Sequence, residues 1–151
     1  MLKKKFRYYP SIAHIKPVGG WCVDASTIIT NSGPSEYRCI DIKTKEIIFS
    51  TKIGFASNNM AEFLALMQAL ILSDSLKVST TIFIDSWIAI AWFKNKRCYS
   101  RITLDDRTRD VYELIAECID WLKKNKHRKL NTVILWQTRQ WGQIPADYNR
   151  K

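Results

Sequence analysis

Between residues 21 and 26 the chain reads Trp-Cys-Val-Asp-Ala-Ser, so that Trp21, Val23 and Ala25 alternate with Cys22, Asp24 and Ser26. A period of two marks a strand with two unlike faces. The Asn31-Ser32-Gly33-Pro34 run that comes next predicts a turn. Residues 36–41 then read as a second strand, Lys43-Thr44-Lys45 as a polar turn and residues 46–53 as a third strand. Such short connections predict an antiparallel meander. From residue 58 the period changes. Asn58 and Asn59 suit a helix N-cap, and Phe63, Leu66, Met67, Leu70 and Ile71 form an apolar stripe. Residues 80–84 are a β-rich run ending at Asp85, and residues 86–94 return to helix. An irregular basic stretch covers 95–106. Thr108 opens a long helix with Val111, Leu114, Ile115, Cys118, Ile119 and Leu122 on one face. Residues 132–136 are a last strand, and 137–151 a polar loop and tail. Strands and helices in this order require a parallel crossover, hence a mixed α/β sheet with helices packed against it.

A chain of 151 residues holds one domain with a real core. The predicted organisation is a basic arm at 1–20 followed by a domain over 21–151. The arm carries Lys3, Lys4, Lys5, Arg7 and Lys16 without an acid, among Phe6, Tyr8 and Tyr9. It reads either as an added set of phosphate and base contacts or as a solvated leader. Overall, 24 Lys and Arg against 14 Asp and Glu give a net charge of +10. That excess favours a polyanionic partner, usually nucleic acid, although charge also serves solubility. The four cysteines form no CxxC pair and there are only two histidines, which argues against structural zinc and for a reduced, cytoplasmic setting. No apolar run approaches the roughly 20 residues of a membrane span, and nothing indicates an obligate protein partner.

Four acids then change the picture. Each has an ordinary explanation by itself. Asp24 could face solvent on an edge strand, Glu62 could close a capping box with Asn59, Asp85 could cap the next helix, and Asp147 could sit exposed after Pro145. Taken together they suggest more. In a mixed sheet the first and fourth strands can be neighbours. Asp24 and Asp85 would then meet at one end of the sheet, and the helix start would bring Glu62 there too. Carboxylates crowded within a few Å cannot all stay ionised unaided. Hard divalent cations neutralise such oxygen clusters, and a pair of them serves in-line displacement at phosphorus.

The pieces VDAS with the NSGP run, SNNMAEFLALMQAL, FIDS and WGQIPADYNRK occur in this order with suitable elements between them. In these pieces the chain, from Trp21 onward, resembles type I ribonuclease H. The WG-x-IPAD ending is similar to a bacterial subgroup with a shortened final loop. The resemblance implies a ribonuclease H-like fold: a five-stranded mixed sheet with strands 1 to 3 antiparallel and helices on its faces. It implies hydrolysis of the RNA strand of an RNA–DNA hybrid with two Mg²⁺ or Mn²⁺ ions, leaving 3′-hydroxyl and 5′-phosphate ends. By position, Asp24 would bridge both ions, Glu62 and Asp85 would complete the site nearer the leaving group, and Asp147 would help hold the ion that acidifies the attacking water. Asn58 or Asn59, joined by Asn31, would contact the minor groove, where 2′-hydroxyls distinguish RNA from DNA. Lys94, Lys96, Arg97 and Arg101 would supply a reduced version of the basic protrusion of some members.

The chain also departs from the family. Residues 137–146 contain no His where the family often has one, leaving Arg139, Gln140 and Gln143 as polar candidates, so slower turnover or a substitute for that residue is expected, not loss of activity. Four residues follow Asp147, too few for the usual terminal helix, which predicts an Asp147 that is mobile until metal and substrate bind. Residues 1–20 are too short for a separate hybrid-binding domain. Two other readings stand beside the nuclease: a non-catalytic nucleic-acid-binding module of this fold, and the same chemistry on another substrate, as in resolvases and integrases.

Overall fold

A computed structural model describes residues 15–28 and 32–149. Most of the basic arm, and Asn31, lie outside the described residues. Five strands form one sheet: β1 (Trp21–Thr27), β2 (Ser32–Asp41), β3 (Ile47–Ser57), β4 (Ile82–Ile84) and β5 (Val133–Leu135), in the spatial order β3-β2-β1-β4-β5. The first three are antiparallel, and β1-β4 and β4-β5 are parallel. This is the ribonuclease H-like topology expected from the sequence.

The alternation in β1 becomes a division of the core. Trp21, Val23 and Ala25 pack with three helices, α1 (Asn58–Ser75), α2 (Trp87–Asn95) and α3 (Arg109–Lys124). Cys22 belongs to a second, smaller cluster with Ile40, Ile42, Phe83, Trp136, Trp141, Ile144 and Ala146. The other face of the sheet is therefore covered by the C-terminal segment, which includes the one-turn helix α4 (Thr138–Trp141). The sequence pattern predicts only a loop here. The order of the segment comes from packing: the rings of Trp136 and Trp141 meet edge to face at 5.0 Å, and both contact Phe83.

Two boundaries differ from expectation for local reasons. Ser32, Gly33 and Pro34 belong to β2 and not to a turn, and a register shift between Pro34 and Ser35 accommodates the residue that cannot donate to a ladder. β3 runs directly into α1, and the N-cap is Ser57, whose Oγ accepts from Met60 N at 3.1 Å, so Asn58 and Asn59 are not the cap. α1 buries almost its whole circumference from Met60 to Leu70, not a stripe, because β1 to β4, α2 and α3 surround it. At the start of β1, Gly20 has φ +100, and a Cβ there would lie 2.9 Å from Thr81 O, the acceptor for Trp21 N. Only glycine fits this close approach. All four cysteines are free; Cys22 and Cys39 are fully buried, and Cys118 is half-buried. No helix among the described residues is long and apolar enough to cross a membrane.

Candidate metal centre

The parallel pairing sets Val23 opposite Ile84, so the next residue of each chain, Asp24 and Asp85, emerges at the same edge of the sheet. Ser86 Oγ caps α2 by accepting from Ala89 N at 3.1 Å, which leaves the Asp85 carboxylate out of the capping role. Ser57 does the same for α1, and Glu62, one turn in, points back to β1. The capping-box explanation for Glu62 and the capping explanation for Asp85 both fail on this geometry. So does the edge-strand explanation for Asp24: β1 lies in the middle of the sheet, and Asp24 is 6% exposed.

One carboxylate oxygen from each of Asp24, Glu62 and Asp85 lies within 4.8 Å of the others. Asp24 and Glu62 are buried, and Asp85 is the outer member. Burial, then the Asp85 charge, pushes the Asp24 carboxyl up to about 7, while its hydrogen bond with Glu62 acts the other way. Burial followed by the charges of Asp24 and Asp85 holds Glu62 well above the usual carboxylate range. Asp85 is raised by burial, against its own backbone hydrogen bond, with Asp147 adding repulsion. A hydrogen bond between two carboxyls needs a proton on one of them, so without a cation this group holds protons that free carboxylates would have released. Glu62 Oε2 is buried with no hydrogen-bond partner. An orphaned carboxyl oxygen inside a cluster of acids fits the donor set of a hard divalent cation.

Asp147 stands apart from the triad. It lines the same open cleft of about 520 Å³, with Asp24, Glu62, Asp85 and Asn58, and its charge acts on Asp24 and Asp85. Its backbone is held, contrary to the expectation of mobility: Arg38 Nη2 donates to Asp147 O at 2.7 Å and Arg38 Nε to Ala146 O at 2.8 Å.

Of the remaining expected residues, Asn58 lines the acidic cleft and Asn59 an adjoining cleft of about 540 Å³ that also has Ser57, Trp92, Tyr99 and Arg101 in its walls. Lys94 is exposed in the last turn of α2, and Lys96 caps that helix in the left-handed region at φ 53. Arg97 stacks over Tyr99 at 5.3 Å. These three flank the adjoining cleft without lining it. Arg139, Gln140 and Gln143 are exposed and line neither cleft. Sequence reasoning missed Trp87 and Ile88, which are 45% and 41% exposed and form the apolar wall of the acidic cleft, with Ile88 shared between the two clefts. Nothing in their spacing distinguishes them from core positions of α2. It also missed Arg38, although a signal existed: a basic residue in the second strand, two positions from Ile40 and on its face.

No family model matches the chain. Among solved structures it is similar to an RNase H1 of the halophilic archaeon Halobacterium salinarum, at 18% identity and TM-score 0.47, over 78% of this chain and 83% of that one. It is also similar to an RNase H1 isolated from compost by a metagenomic approach, at 15% identity and TM-score 0.49, over 76% and 81%. A structure of that compost enzyme in complex with an RNA/DNA hybrid matches at 15% identity and TM-score 0.44, over 76% and 80%. The chemistry of this chain is carried by the acidic cluster and its surroundings, not by these likenesses.

Proposed function

We propose that the protein is a metal-dependent endonuclease that cleaves the RNA strand of RNA–DNA hybrids, leaving 3′-hydroxyl and 5′-phosphate ends. The observation that carries this reading is the convergence of Asp24, Glu62 and Asp85 from three separate elements onto one spot, with Asp147 on the same cleft. Crowded acids beside a phosphodiester make sense only with cations between them, and a protein that merely binds polyanions gains nothing from such a cluster.

Asp24, Glu62 and Asp85 would hold Mg²⁺ or Mn²⁺, with Asp147 contributing to a second ion. The ions, when bound, supply the positive charge that acidifies the attacking water and stabilises the leaving 3′ oxygen. The residues of the chain do the rest. The buried side of the triad fixes the direction of the carboxylates. Asn58 beside the acids and Asn59 in the adjoining cleft offer amide donors and acceptors to ribose hydroxyls and base edges. Tyr99 and Arg101, with Lys94, Lys96 and Arg97 nearby, would receive the backbone of the duplex.

The deciding experiment is cleavage of end-labelled RNA–DNA hybrid, duplex RNA and duplex DNA with Mg²⁺ or Mn²⁺. The expected result is metal-dependent cutting of the hybrid alone, abolished in Asp24→Asn and Asp85→Asn. Cutting that survives either substitution overturns the site. Tight hybrid binding with no cutting under either metal supports a non-catalytic binding module instead.

A further inference from the structure

We propose that Arg38 is the positioning residue for Asp147: its guanidinium holds the C-terminal loop against β2, so that the fourth carboxylate is presented to the cleft. The proposal deepens the reading above and rests on it. Arg38 is the cross-strand partner of Asp24, and paired residues of neighbouring strands point to the same side of a sheet. Opposite charges so placed would ordinarily produce an ion pair. Among the described residues Arg38 forms none. It donates instead to two successive carbonyls, Ala146 O at 2.8 Å and Asp147 O at 2.7 Å, and stacks over the Tyr148 ring at 4.4 Å.

One planar fork therefore grips three consecutive residues centred on Asp147. The loop is fixed on its other side by Asp147 N donating to Ile144 O at 2.9 Å, with Ile144 and Ala146 buried in the smaller core. The Asp147 carboxylate keeps an intrachain contact from Asn149 N at 3.0 Å to Oδ2. The rigid spacing of the two donors matters. A lysine in this place would keep the charge but not two directed donors to adjacent carbonyls. Nε and Nη2 of Arg38 donate to the loop backbone, and Asp24, with no ion pair to Arg38, belongs to the acidic cluster.

The test is a double-mutant cycle on metal binding, with Mn²⁺ as the probe. Isothermal titration of the free protein would be compared for wild type, Arg38→Lys, Asp147→Asn and the double variant, with urea unfolding in chelator as the control for folding. Arg38→Lys is expected to weaken Mn²⁺ binding about tenfold, in the range seen when the support of a metal ligand is removed. In the Asp147→Asn background the same change is expected to cost less than about twofold, because the residue acts through that carboxylate. Unchanged Mn²⁺ affinity in a folded Arg38→Lys overturns the assignment, as do losses that simply add in the double variant. A wild type that binds Mn²⁺ but cuts no hybrid would sink the proposed activity while this cycle still decides the role of Arg38.

Discussion

The acids of the cleft are held in a state that they would not choose in water. Burial raises Asp24, Glu62 and Asp85, and neighbouring charges add to it: Asp85 on Asp24, Asp24 and Asp85 on Glu62, and Asp147 on Asp85. An acid raised in the folded state binds its proton more tightly there than in the unfolded chain. Its contribution to stability is thus complete below the ordinary carboxylate pKa of 3.8 and is lost as pH rises through about 7. The metal-free protein is expected to lose melting temperature between pH 5 and pH 8, and millimolar Mg²⁺ to recover much of that loss at pH 8. Thermal unfolding in chelator and in Mg²⁺ at both pH values checks this, and curves insensitive to metal would count against the centre. Asp24→Asn removes one of the repelling charges. At pH 8 without metal it is expected to be more stable than wild type by on the order of 1 kcal/mol or more, while losing the stabilisation by Mg²⁺ and all cleavage. A variant less stable than wild type in chelator would mean that Asp24 has a favourable partner in the metal-free state.

Caps and close contacts are what turn these residues into a site. The β3–α1 junction has no linker, so Ser57 both ends the strand and starts the helix that carries Glu62. Ser57→Ala is expected to cost about 1 kcal/mol in urea unfolding, as when other N-caps are removed. Its effect on cleavage should exceed that of an equally destabilising substitution on α3, since only α1 delivers an acid. Gly20 serves at the other end of β1, where its backbone passes within contact of Thr81 O. Gly20→Ala is expected to destabilise by about 1–3 kcal/mol through backbone strain while leaving the metal dependence of cleavage unchanged. A shifted metal dependence there would show that the β1–β4 register responds to strain at its start. The helix starting near 58 was legible because the period of its apolar residues changes there, but its cap was not. Asn58, Asn59 and Ser57 all have capping side chains, and the choice among them depends on where β3 stops pairing with β2. The one-turn α4 was illegible for a related reason: its stability lies in Trp141 against Trp136 and against Phe83, the second of these far away in the chain, and not in any helical periodicity.

At the scale of the molecule, charge and chemistry are separated. Negative charge is gathered in the acidic cleft, while Lys94, Lys96, Arg97 and Arg101 follow α2 beside the adjoining cleft. Lys96→Ala and Arg97→Ala are each expected to weaken hybrid binding and to lower the slope of log affinity against log salt by about one for every phosphate no longer neutralised. Titration of catalytically inactive protein with labelled hybrid at several salt concentrations measures this, and an unchanged slope would move the binding face elsewhere. By itself the sequence determined the order and type of most elements, because hydrophobic periodicity is local, and it singled out Asp24 and Asp85, because a carboxylate that interrupts or ends an apolar strand is conspicuous. It did not determine that these acids meet, since that depends on β1 lying between β2 and β4. Nor did it reveal that Arg38, 109 residues before Asp147 in the chain, anchors the loop that presents it. Cross-strand partners and backbone acceptors are chosen by the register of the sheet and by the core on its second face, and no window of sequence contains either.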